Sequence, residues 1–377
     1  MAQKQILIIC GEPSGDLQAA TLVKQLLTLN PKTKISAVGG TLLKEAGAEI
    51  IYDIKGLSVM GFFDVLKKLP KFFALKKFIL NKIKENKPDL IVLVDFSGFN
   101  LRFAKAVNKA IPIYYYISPQ LWASRAGRVK TIKKYISKMI VLFKFEEEFY
   151  KEYGINAVWV GHPLLDIVRP EMRKQDFLMK HQLSLQKNTV VLLPGSRKSE
   201  IKNVLPIMLE AAAIIQKTLA DTQFVLAKAP QVDNCVYEEL IQNKDINLKV
   251  IDGKTYDCLN IADFALVCSG TATLETAIMQ KPFLIVYKMN LLNFLLYRPQ
   301  VKVPYIGMVN IVAGKKIIPE FIQFKAGPKK IAGEALKILQ NPSLKTQMHD
   351  DLAEIKSRLG PIGAAERAAR IILSFLQ

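Results

Sequence analysis

The sequence predicts an α/β protein of two domains, each built on a parallel sheet flanked by helices. Short apolar runs with the composition of buried strands alternate with helical stretches along most of the chain, which is the pattern of successive β–α–β units. The alternation stops at a polar, charged segment, residues 169–187, and then restarts. Several strands lead directly into a turn and a helix, and α/β proteins bind ligands at such carboxyl ends. We therefore predict one domain over residues 1–168 and a second over residues 188–345.

The composition restricts the class of partner. A chain of 377 residues, of which 50% are hydrophobic, is large enough to bury two cores. Its formal net charge of +20 indicates an anionic partner, either a nucleic acid, an anionic membrane surface or a phosphorylated substrate. Because no basic stripe is interleaved with stacking aromatics on a known module, we expect no nucleic-acid binding.

The cysteines and the hydrophobic runs indicate the compartment. The four cysteines lack C-x-x-C spacing and the three histidines are dispersed, so we expect no disulfide framework, no metal site and no cofactor. The N-terminus lacks a signal-peptide pattern, and the longest uncharged run, residues 110–124, is too short to span a bilayer. These features favour a cytoplasmic protein that is not integral to a membrane.

The first predicted strand, Ile6–Cys10, leads into a turn that favours anion binding. The turn is Gly11-Glu-Pro-Ser-Gly-Asp16, and a helix is predicted over residues 17–29, with its free amides directed at any bound anion. The turn does not match G-x-G-x-x-G, so the dinucleotide fingerprint is absent. We assign four of its residues to a ligand-binding cleft: Glu12, Ser14, Gly15 and Asp16.

Asp95 ends a clear parallel-sheet strand, Asp89–Asp95, and precedes the turn Ser97-Gly-Phe-Asn100. Two interpretations remain open for its carboxylate. It caps the following helix, or it faces the cleft between the domains as a general base. We favour the base, because ligands of α/β proteins lie at this end of the strands.

Two further stretches of the first domain are candidates for lining the cleft. The strand over residues 111–117 is followed by Ser118–Arg125, in which Trp122 and Arg125 suit a sugar, a phosphate or an acyl chain; a packed loop is the alternative. His162 follows the last strand of this domain, within Gly161-His-Pro163. For His162 we favour a structural or cleft-lining role over that of a catalytic acid.

Residues 61–87 interrupt the β–α–β pattern with large apolar side chains set among eight lysines. This composition is typical of a helix lying in a membrane interface. The alternative is an ordinary helix with a core face and a solvated lysine face, and we favour the membrane. Pro70 predicts two helices or a kink. The residues assigned to the interface are Phe62, Phe63, Leu66, Leu69, Phe72, Phe73 and Phe78.

The second domain begins with the strand Asn188–Leu193, which is followed by Pro194-Gly-Ser-Arg197. A strand that leads into Gly-Ser-Arg at a helix start is an anion site, and the Arg197 guanidinium can bind a diphosphate in a bidentate way. A second such unit is the buried strand 262–268 followed by Ser269-Gly-Thr-Ala-Thr-Leu-Glu275. Here Ser269 and Thr271 are predicted helix caps, and Gly270 permits a tight turn.

Glu275 makes this second unit more specific. It lies four residues after Thr271 and six after Ser269, so the capping-box spacing of three does not explain it. Two interpretations stay open: Glu275 accepts hydrogen bonds from a sugar diol, or it complements the helix dipole. Two such domains, with a linker between them and C-terminal helices over residues 346–377, correspond to the GT-B fold of glycosyltransferases.

In these motifs the chain resembles the lipid-A-disaccharide synthase family. Each motif alone is weak, but their order and spacing through most of the chain are specific. The matching pieces are Gly11–Asp16, Ser58–Gly61, Asp95 with Phe99 and Asn100, Ser118–Ala123, Gly161–Pro163, Leu193–Arg197, Ser269–Glu275, and Asn310 with Pro319, Glu320 and Gln323.

The resemblance implies an inverting transfer of 2,3-diacylglucosamine from UDP to the 6-hydroxyl of 2,3-diacylglucosamine 1-phosphate. The products would be the β-1,6-linked disaccharide 1-phosphate of lipid A biosynthesis and UDP. It also implies a peripheral protein on the cytoplasmic face of the inner membrane, bound to an anionic surface. The C-terminal helices would pack back on the first domain or be exchanged in a homodimer.

The resemblance implies roles for individual residues as well. An essential aspartate of the family matches Asp95, and Ser269 and Gly270 belong to a nucleotide-binding motif. The chain departs from the family at Pro13, at Ser124, and at Ser97-Gly98, where many members have Pro-Asp, so a second carboxylate is missing. Family contacts to the nucleotide match Arg197, Thr271, Glu275, Asn310 and Gln323.

Two other classes of function remain as alternatives. A UDP-N-acetylglucosamine 2-epimerase-like isomerase would use the same fold without a membrane segment. A non-catalytic nucleotide-sugar or lipid-binding protein would bind UDP without releasing a product.

Overall fold

The computed structural model describes residues 3–55, 62–124, 126–242, 245–301 and 303–376. The chain forms two compact units. The first consists of Met1–Asp166, Pro299–Lys302 and Leu359–Gln377, and the second of Ile167–Arg298 and Val303–Arg358. Each unit has its own parallel sheet, as the β–α–β pattern predicts, and the two-domain α/β class is confirmed.

The strands are short, and those in the middle of each sheet are mostly apolar. They are β1 (Gln5–Ile9), β2 (Lys34–Gly39), β3 (Glu49–Asp53), β4 (Leu90–Val94), β5 (Ile113–Tyr116), β6 (Lys138–Val141), β7 (Ala157–Trp159), β8 (Asn188–Leu193), β9 (Thr222–Lys228), β10 (Leu248–Asp252), β11 (Phe264–Cys268), β12 (Phe283–Tyr287) and β13 (Glu320–Ile322). Strands β4 and β11 are buried at every position, because helices cover both faces of a parallel sheet.

The helices follow the strands in alternation. They are α1 (Pro13–Leu29), α2 (Thr41–Glu45), α3 (Phe62–Glu85), α4 (Ser97–Val107), α5 (Val129–Tyr135), α6 (Lys144–Glu152), α7 (Leu164–Ile167), α8 (Lys174–Lys180), α9 (Lys198–Thr218), α10 (Asn234–Ile241), α11 (Thr255–Ile261), α12 (Thr271–Ile278), α13 (Leu291–Tyr297), α14 (Met308–Ala313), α15 (Pro328–Leu339), α16 (Pro342–Arg358) and α17 (Ala364–Leu376). Among the helices described, none has the length and apolar character needed to cross a bilayer.

Both sheets reverse the direction of their crossovers once. The strand order is β3-β2-β1-β4-β5-β6-β7 in the first sheet and β10-β9-β8-β11-β12-β13 in the second. The chain therefore runs outward in one direction from β1 and β8, and in the other direction from β4 and β11. These reversals, β1/β4 and β8/β11, are the topological switch points at which open α/β sheets bind ligands.

The last two helices belong to different units. Helix α16 packs against α12, α14 and α15 in the second unit, whereas α17 packs against α1 in the first. Arg367 of α17 donates from Nε to the Val160 carbonyl at 2.8 Å, and Asp166 accepts from the Gly363 backbone N–H at 2.6 Å. The C-terminal end thus completes the fold of the first unit.

Pro70 predicts either two helices or a kink over residues 61–87, and the first alternative is wrong, since α3 is a single helix with Pro70 inside it. Proline removes one hydrogen bond from the helix interior but does not oblige the helix to end. Leu75 and Ile79, one turn apart, are buried, and their burial stabilises the helix after the proline. Gly61 and the side chains of Phe62, Phe63 and Leu66 lie outside the described part of the structure.

Candidate active site

The predicted functional turns lie at the switch points of the two sheets. In the first unit, Gly11–Asp16 follows β1 and Asp95 follows β4. In the second unit, Pro194–Arg197 follows β8 and Ser269 with Gly270 follows β11. In each unit, therefore, the two candidate turns extend from neighbouring strands at the same edge of the sheet.

Asp95 occupies an unusual backbone conformation. Its φ is 46° and that of Phe96 is 48°, so two consecutive non-glycine residues adopt the left-handed conformation. Such residues cost free energy and persist where the surroundings hold them. Here the Asn100 amide donates to the Asp95 carbonyl at 2.8 Å, and the Tyr115 hydroxyl donates to the same oxygen at 2.5 Å. This turn fixes the direction in which the Asp95 side chain leaves the end of β4.

The surroundings of Asp95 make its carboxylate more basic than usual. Burial, and then the negative charge of Glu12, raise the pKa of Asp95 to about 6. Glu12 is the N-cap residue of α1, and it brings a second carboxylate to the switch point. Helix α4 has Phe96 as its N-cap and has no side-chain cap. Asp95 therefore does not cap α4, and the helix-cap interpretation is wrong.

The turn after β1 packs closely against the turn after β4. A Cβ atom on Gly11 would lie 2.2 Å from Cδ1 of Phe96, so only glycine fits there. Asp16 is buried, and its two carboxylate oxygens accept from the backbone N–H groups of Gly40 at 2.7 Å and Leu42 at 3.1 Å. Asp16 thus anchors the start of α2, while Ser14 is exposed on the first turn of α1.

Trp122 is held by a residue that the sequence did not single out. Its indole N–H donates to Oε1 of the buried Glu146 at 3.1 Å, and the Ser118 hydroxyl donates to the same oxygen at 2.9 Å. Burial raises the pKa of Glu146, while these donors favour its charged form. Glu146 lies at the third position of α6, where a glutamate side chain commonly accepts a hydrogen bond from the N-cap backbone. This position in the sequence could have identified Glu146. Arg125 lies outside the described residues.

His162 is buried and faces aromatic carbon. Its ring lies 5.1 Å from the Phe143 ring between centroids, and its Nδ1 accepts from the Leu164 backbone N–H at 3.2 Å. Burial lowers the pKa of His162 to about 4. The imidazole is therefore neutral at pH 7 with its proton on Nε2, so it can donate a hydrogen bond but is not a charged acid.

Arg197 is ordered by a glutamate one turn along α9. Oε2 of Glu200 accepts from the backbone N–H groups of Ser196 and Arg197, and Oε1 lies 3.3 Å from Nη1 of Arg197. Gly195 has a φ of 114°, and a Cβ on it would lie 2.6 Å from Oε2 of Glu200. The guanidinium remains more than half exposed, so it is oriented but accessible to an anion.

Helix α12 begins without a side-chain cap. Its N-cap is Gly270, so the predicted capping by Ser269 and Thr271 is wrong; Thr271 is already the first helical residue. An uncapped N-terminus leaves backbone N–H groups and the positive end of the helix dipole for an anionic ligand. Glu275, one turn along, accepts from the Tyr256 hydroxyl at 3.0 Å, and burial raises its pKa. Tyr256 was also missed from the sequence.

Asn310 and Gln323 are both buried and form internal hydrogen bonds. The Asn310 amide donates to the Ile318 carbonyl and to Glu320, and its oxygen accepts from two backbone N–H groups. Gln323 donates to and accepts from the backbone of Met289. Their side-chain amides hold the loops around α14 and before α13 in place.

The sequence relationships are decisive for the family. The family model described as lipid-A-disaccharide synthetase matches residues 6–372. A lipid-A-disaccharide synthase of Syntrophus aciditrophicus (strain SB) is 40% identical over 379 residues, spanning 100% of this chain and 99% of its own. One from Myxococcus xanthus (strain DK1622) is 36% identical, spanning 99% of this chain and 97% of its own.

The chain belongs to the lipid-A-disaccharide synthase family.

Solved structures similar to this synthase-family chain establish its fold. A Staphylococcus aureus MnaA–UDP structure has a TM-score of 0.66 at 16% identity and covers 99% of this chain and 97% of its own. The calicheamicin glycosyltransferase CalG4 has a TM-score of 0.60 at 15% identity, with 100% and 99% covered. At these identities the likeness shows the GT-B fold alone. A putative UDP-N-acetylglucosamine 2-epimerase from Listeria monocytogenes has the same fold, with a TM-score of 0.67 at 13% identity, covering 100% of this chain and 97% of its own, whereas sequence similarity supports the synthase.

Solvent exposure differs among the apolar residues that were predicted to form the membrane segment. Leu69, Phe72 and Phe78 are half-buried, and only Phe73, 59% exposed, points largely into solvent among the interface residues whose side chains are described. The Phe72 ring lies 5.8 Å from that of Phe96, and the Phe78 ring 5.7 Å from that of Tyr52. Phe72 and Phe78 thus contribute to packing within the first unit.

Proposed function

We propose that the chain catalyses the transfer named by its family, as an inverting hexosyltransferase. The donor is UDP-2,3-diacylglucosamine and the acceptor is 2,3-diacylglucosamine 1-phosphate. The C1–O bond to UDP breaks as the acceptor 6-hydroxyl forms a new bond to C1, which gives the β-1,6-linked disaccharide 1-phosphate and UDP. The observation that carries the chemistry is the Asp95 carboxylate at the β1/β4 switch point, with its pKa raised to about 6.

In this proposal Asp95 accepts the proton of the acceptor hydroxyl as that oxygen attacks. A base with a pKa close to the working pH combines ionisation with proton affinity, and positioned bases contribute about 10²–10⁴-fold. The strained turn, held by Asn100 and Tyr115, keeps the carboxylate in one orientation. Ser97-Gly98 supplies no second carboxylate, and the acidic side chain whose charge acts on Asp95 is Glu12.

The second unit would bind UDP and stabilise the charge that develops as it leaves. Arg197 supplies a planar guanidinium, and the uncapped start of α12 supplies backbone donors and a helix dipole. Preorganised donors of this kind are often the largest contribution to catalysis. Glu275, oriented by Tyr256, is proposed to accept from the ribose hydroxyls. Asn310 and Gln323 would act by positioning backbone groups around the nucleotide, since their own amides are engaged.

The acceptor would contact the first unit around Trp122 and His162, with Glu146 holding the indole. We further propose that the protein acts as a peripheral protein at an anionic membrane surface on the cytoplasmic side, because acylated substrates reside in lipid. The net charge of +20 and the exposed Phe73 support this. Two copies associating through their C-terminal helices remain part of the hypothesis.

Mass spectrometry of the products tests the proposal. Purified protein is incubated with UDP-diacylglucosamine and diacylglucosamine 1-phosphate dispersed in detergent. The expected products are UDP and a disaccharide 1-phosphate, with a β configuration at the new linkage by NMR. A sugar nucleotide converted to its epimer without acceptor would instead support the isomerase. Tight UDP binding without any product would leave only a binding protein.

A further inference from the structure

Helix α13 exposes a cluster of leucines that the proposed catalytic residues do not involve. Leu291, Leu292 and Leu295 are 51%, 55% and 57% exposed. Positions i, i+1 and i+4 of a helix fall within one 100° arc, so the three side chains share a face. The Asn290 side chain accepts from the Leu292 backbone N–H at 2.9 Å and caps this helix. The apolar face therefore belongs to a helix with a side-chain cap at its N-terminus.

The apolar surface continues beyond this helix. Phe324 is 76% exposed, and its ring meets that of Phe294 edge to face with the centroids 6.0 Å apart. Beside Phe324 lies a groove of about 580 Å³, lined in part by Ile214 and Pro328. We call the surface formed by Leu291, Leu292, Leu295 and Phe324 the α13 patch. Contiguous exposed apolar side chains rimmed by polar residues are typical of interaction sites.

The charge around the α13 patch is strongly positive. From Lys288 to Lys330 the sequence holds eight lysines and arginines and a single acidic residue, Glu320. Glu320 is turned inward, where its oxygens accept from the backbone N–H groups of Ile306 and Gly307 and from the Asn310 amide. The Arg298 guanidinium lies 5.6 Å over the Phe294 ring, and Lys325, Lys329 and Lys330 are exposed. Leucines and an aromatic ring bordered by cations are typical of a membrane-interface surface.

We infer that the α13 patch is a membrane-contact surface of the second unit, separate from α3, which docks on anionic phospholipid. This inference rests on the proposed function, since acylated substrates require an enzyme at the bilayer. A second copy of the chain is a poorer occupant. A symmetric dimer through this patch would oppose it to itself and bring the two sets of cations together.

Vesicle sedimentation of the full-length protein tests this inference. The patch variant is Leu291→Ser, Leu292→Ser and Leu295→Ser. Its matched control is Met179→Ser, Leu185→Ser and Val250→Ser, which removes three exposed apolar side chains from the same unit. Val250 lies on β10, at the sheet edge opposite β13, which ends two residues before Phe324. Vesicles of phosphatidylcholine with phosphatidylglycerol are compared with vesicles of phosphatidylcholine alone.

We expect the patch variant to bind the anionic vesicles about tenfold or more weakly than the wild type, because binding scales with buried apolar area. The control variant should bind like the wild type. A second variant, Lys329→Glu with Lys330→Glu, should also bind weakly and should remove the preference for anionic vesicles. Because every changed side chain is exposed, melting temperatures should stay within a few degrees of the wild type.

The inference is overturned if the patch and charge variants bind anionic vesicles as the wild type does. It is also overturned if the patch variant alone changes a dimer to a monomer in analytical ultracentrifugation. Transfer assayed with detergent-dispersed substrates separates this inference from the proposed function. The patch variant should retain that activity while losing transfer to acceptor embedded in vesicles. Wild-type protein that binds vesicles but makes no disaccharide in detergent would refute the proposed function and leave the contact surface standing.

Discussion

The turns at the switch point of the first sheet carry carboxylates, whereas a turn of the second carries a guanidinium, and helices begin without a side-chain cap in both. Both sheets have the same reversal of strand order at this point. The backbones also differ, because the first turn places aspartate itself in the left-handed region while the second uses Gly195. One topology thus presents a base in one unit and an anion site in the other.

The two units differ in whether the turn at the switch point is strained. In the first unit the backbone of Asp95 is held in a costly conformation. Its carboxylate lies in a partly apolar environment, which makes it more basic. In the second unit glycine satisfies the turn without strain, and the backbone N–H groups themselves serve as ligands. Substitutions in the two turns should therefore have different kinetic signatures.

The largest expected effect is on turnover when the base is removed. Asp95→Asn should lower kcat by about 10²–10⁴-fold and leave UDP affinity nearly intact. Asparagine tolerates the left-handed backbone, so the turn should persist. Asp53→Asn, at the end of β3 and away from the switch point, is the control. Steady-state kinetics and UDP titration measure both quantities, and more than about a third of wild-type kcat in Asp95→Asn would remove Asp95 from the role of base.

The next largest effect is on the anion site. Arg197→Ala should weaken UDP binding by about 1.5–3 kcal/mol, the range for a hydrogen bond to a charged group. Arg197→Lys should restore only part of this, because an ammonium cannot form the bidentate contact. Arg173→Ala removes an exposed arginine of the same unit as a control. Isothermal titration with UDP decides the matter, and equal affinity in all variants would exclude Arg197 as a nucleotide ligand.

The third effect concerns stability. The folded pKa of Asp95 lies near 6, above the ordinary value of 3.8. Between these values the folded state binds more protons than the unfolded state, so the stability contributed by this group falls as pH rises through the window. Asp95→Asn should therefore stabilise the protein at pH 8, by at most about 3 kcal/mol, and by little at pH 4. Melting temperatures at the two pH values test this, and a destabilised variant at pH 8 contradicts it.

The smallest effect is on the pH profile. In the wild type, kcat/KM should rise with pH through a limb near pH 6 as Asp95 loses its proton. Glu12→Gln removes a neighbouring negative charge, so the limb should move to lower pH, by roughly 0.5 pH unit. Glu45→Gln, on α2, is a distant control. An unmoved limb in Glu12→Gln would show that burial alone sets the pKa of Asp95.

Much of the fold and the position of the candidate site were predictable from the sequence. The alternation of apolar strands and helices is local, and it gave the two parallel sheets. Turns that follow buried strands necessarily lie at the carboxyl edge, so Asp95 and Arg197 were found by their positions in the sequence. The sequence left open whether α3 continues through Pro70, because that continuity depends on the burial of Leu75 and Ile79, which outweighs the local signal of proline.

The sequence by itself determined which residue types stand at the ends of the strands and how the family motifs are spaced. Only the tertiary structure decided which of those side chains are free. Asp16, Asn310 and Gln323 match a binding pattern, yet their polar atoms are occupied by groups of other segments of the chain. Glu146 and the α13 patch lack a distinctive motif, since burial and exposure depend on contacts between segments remote in sequence. Hydrogen-bond partners and solvent exposure arise only when those segments pack together.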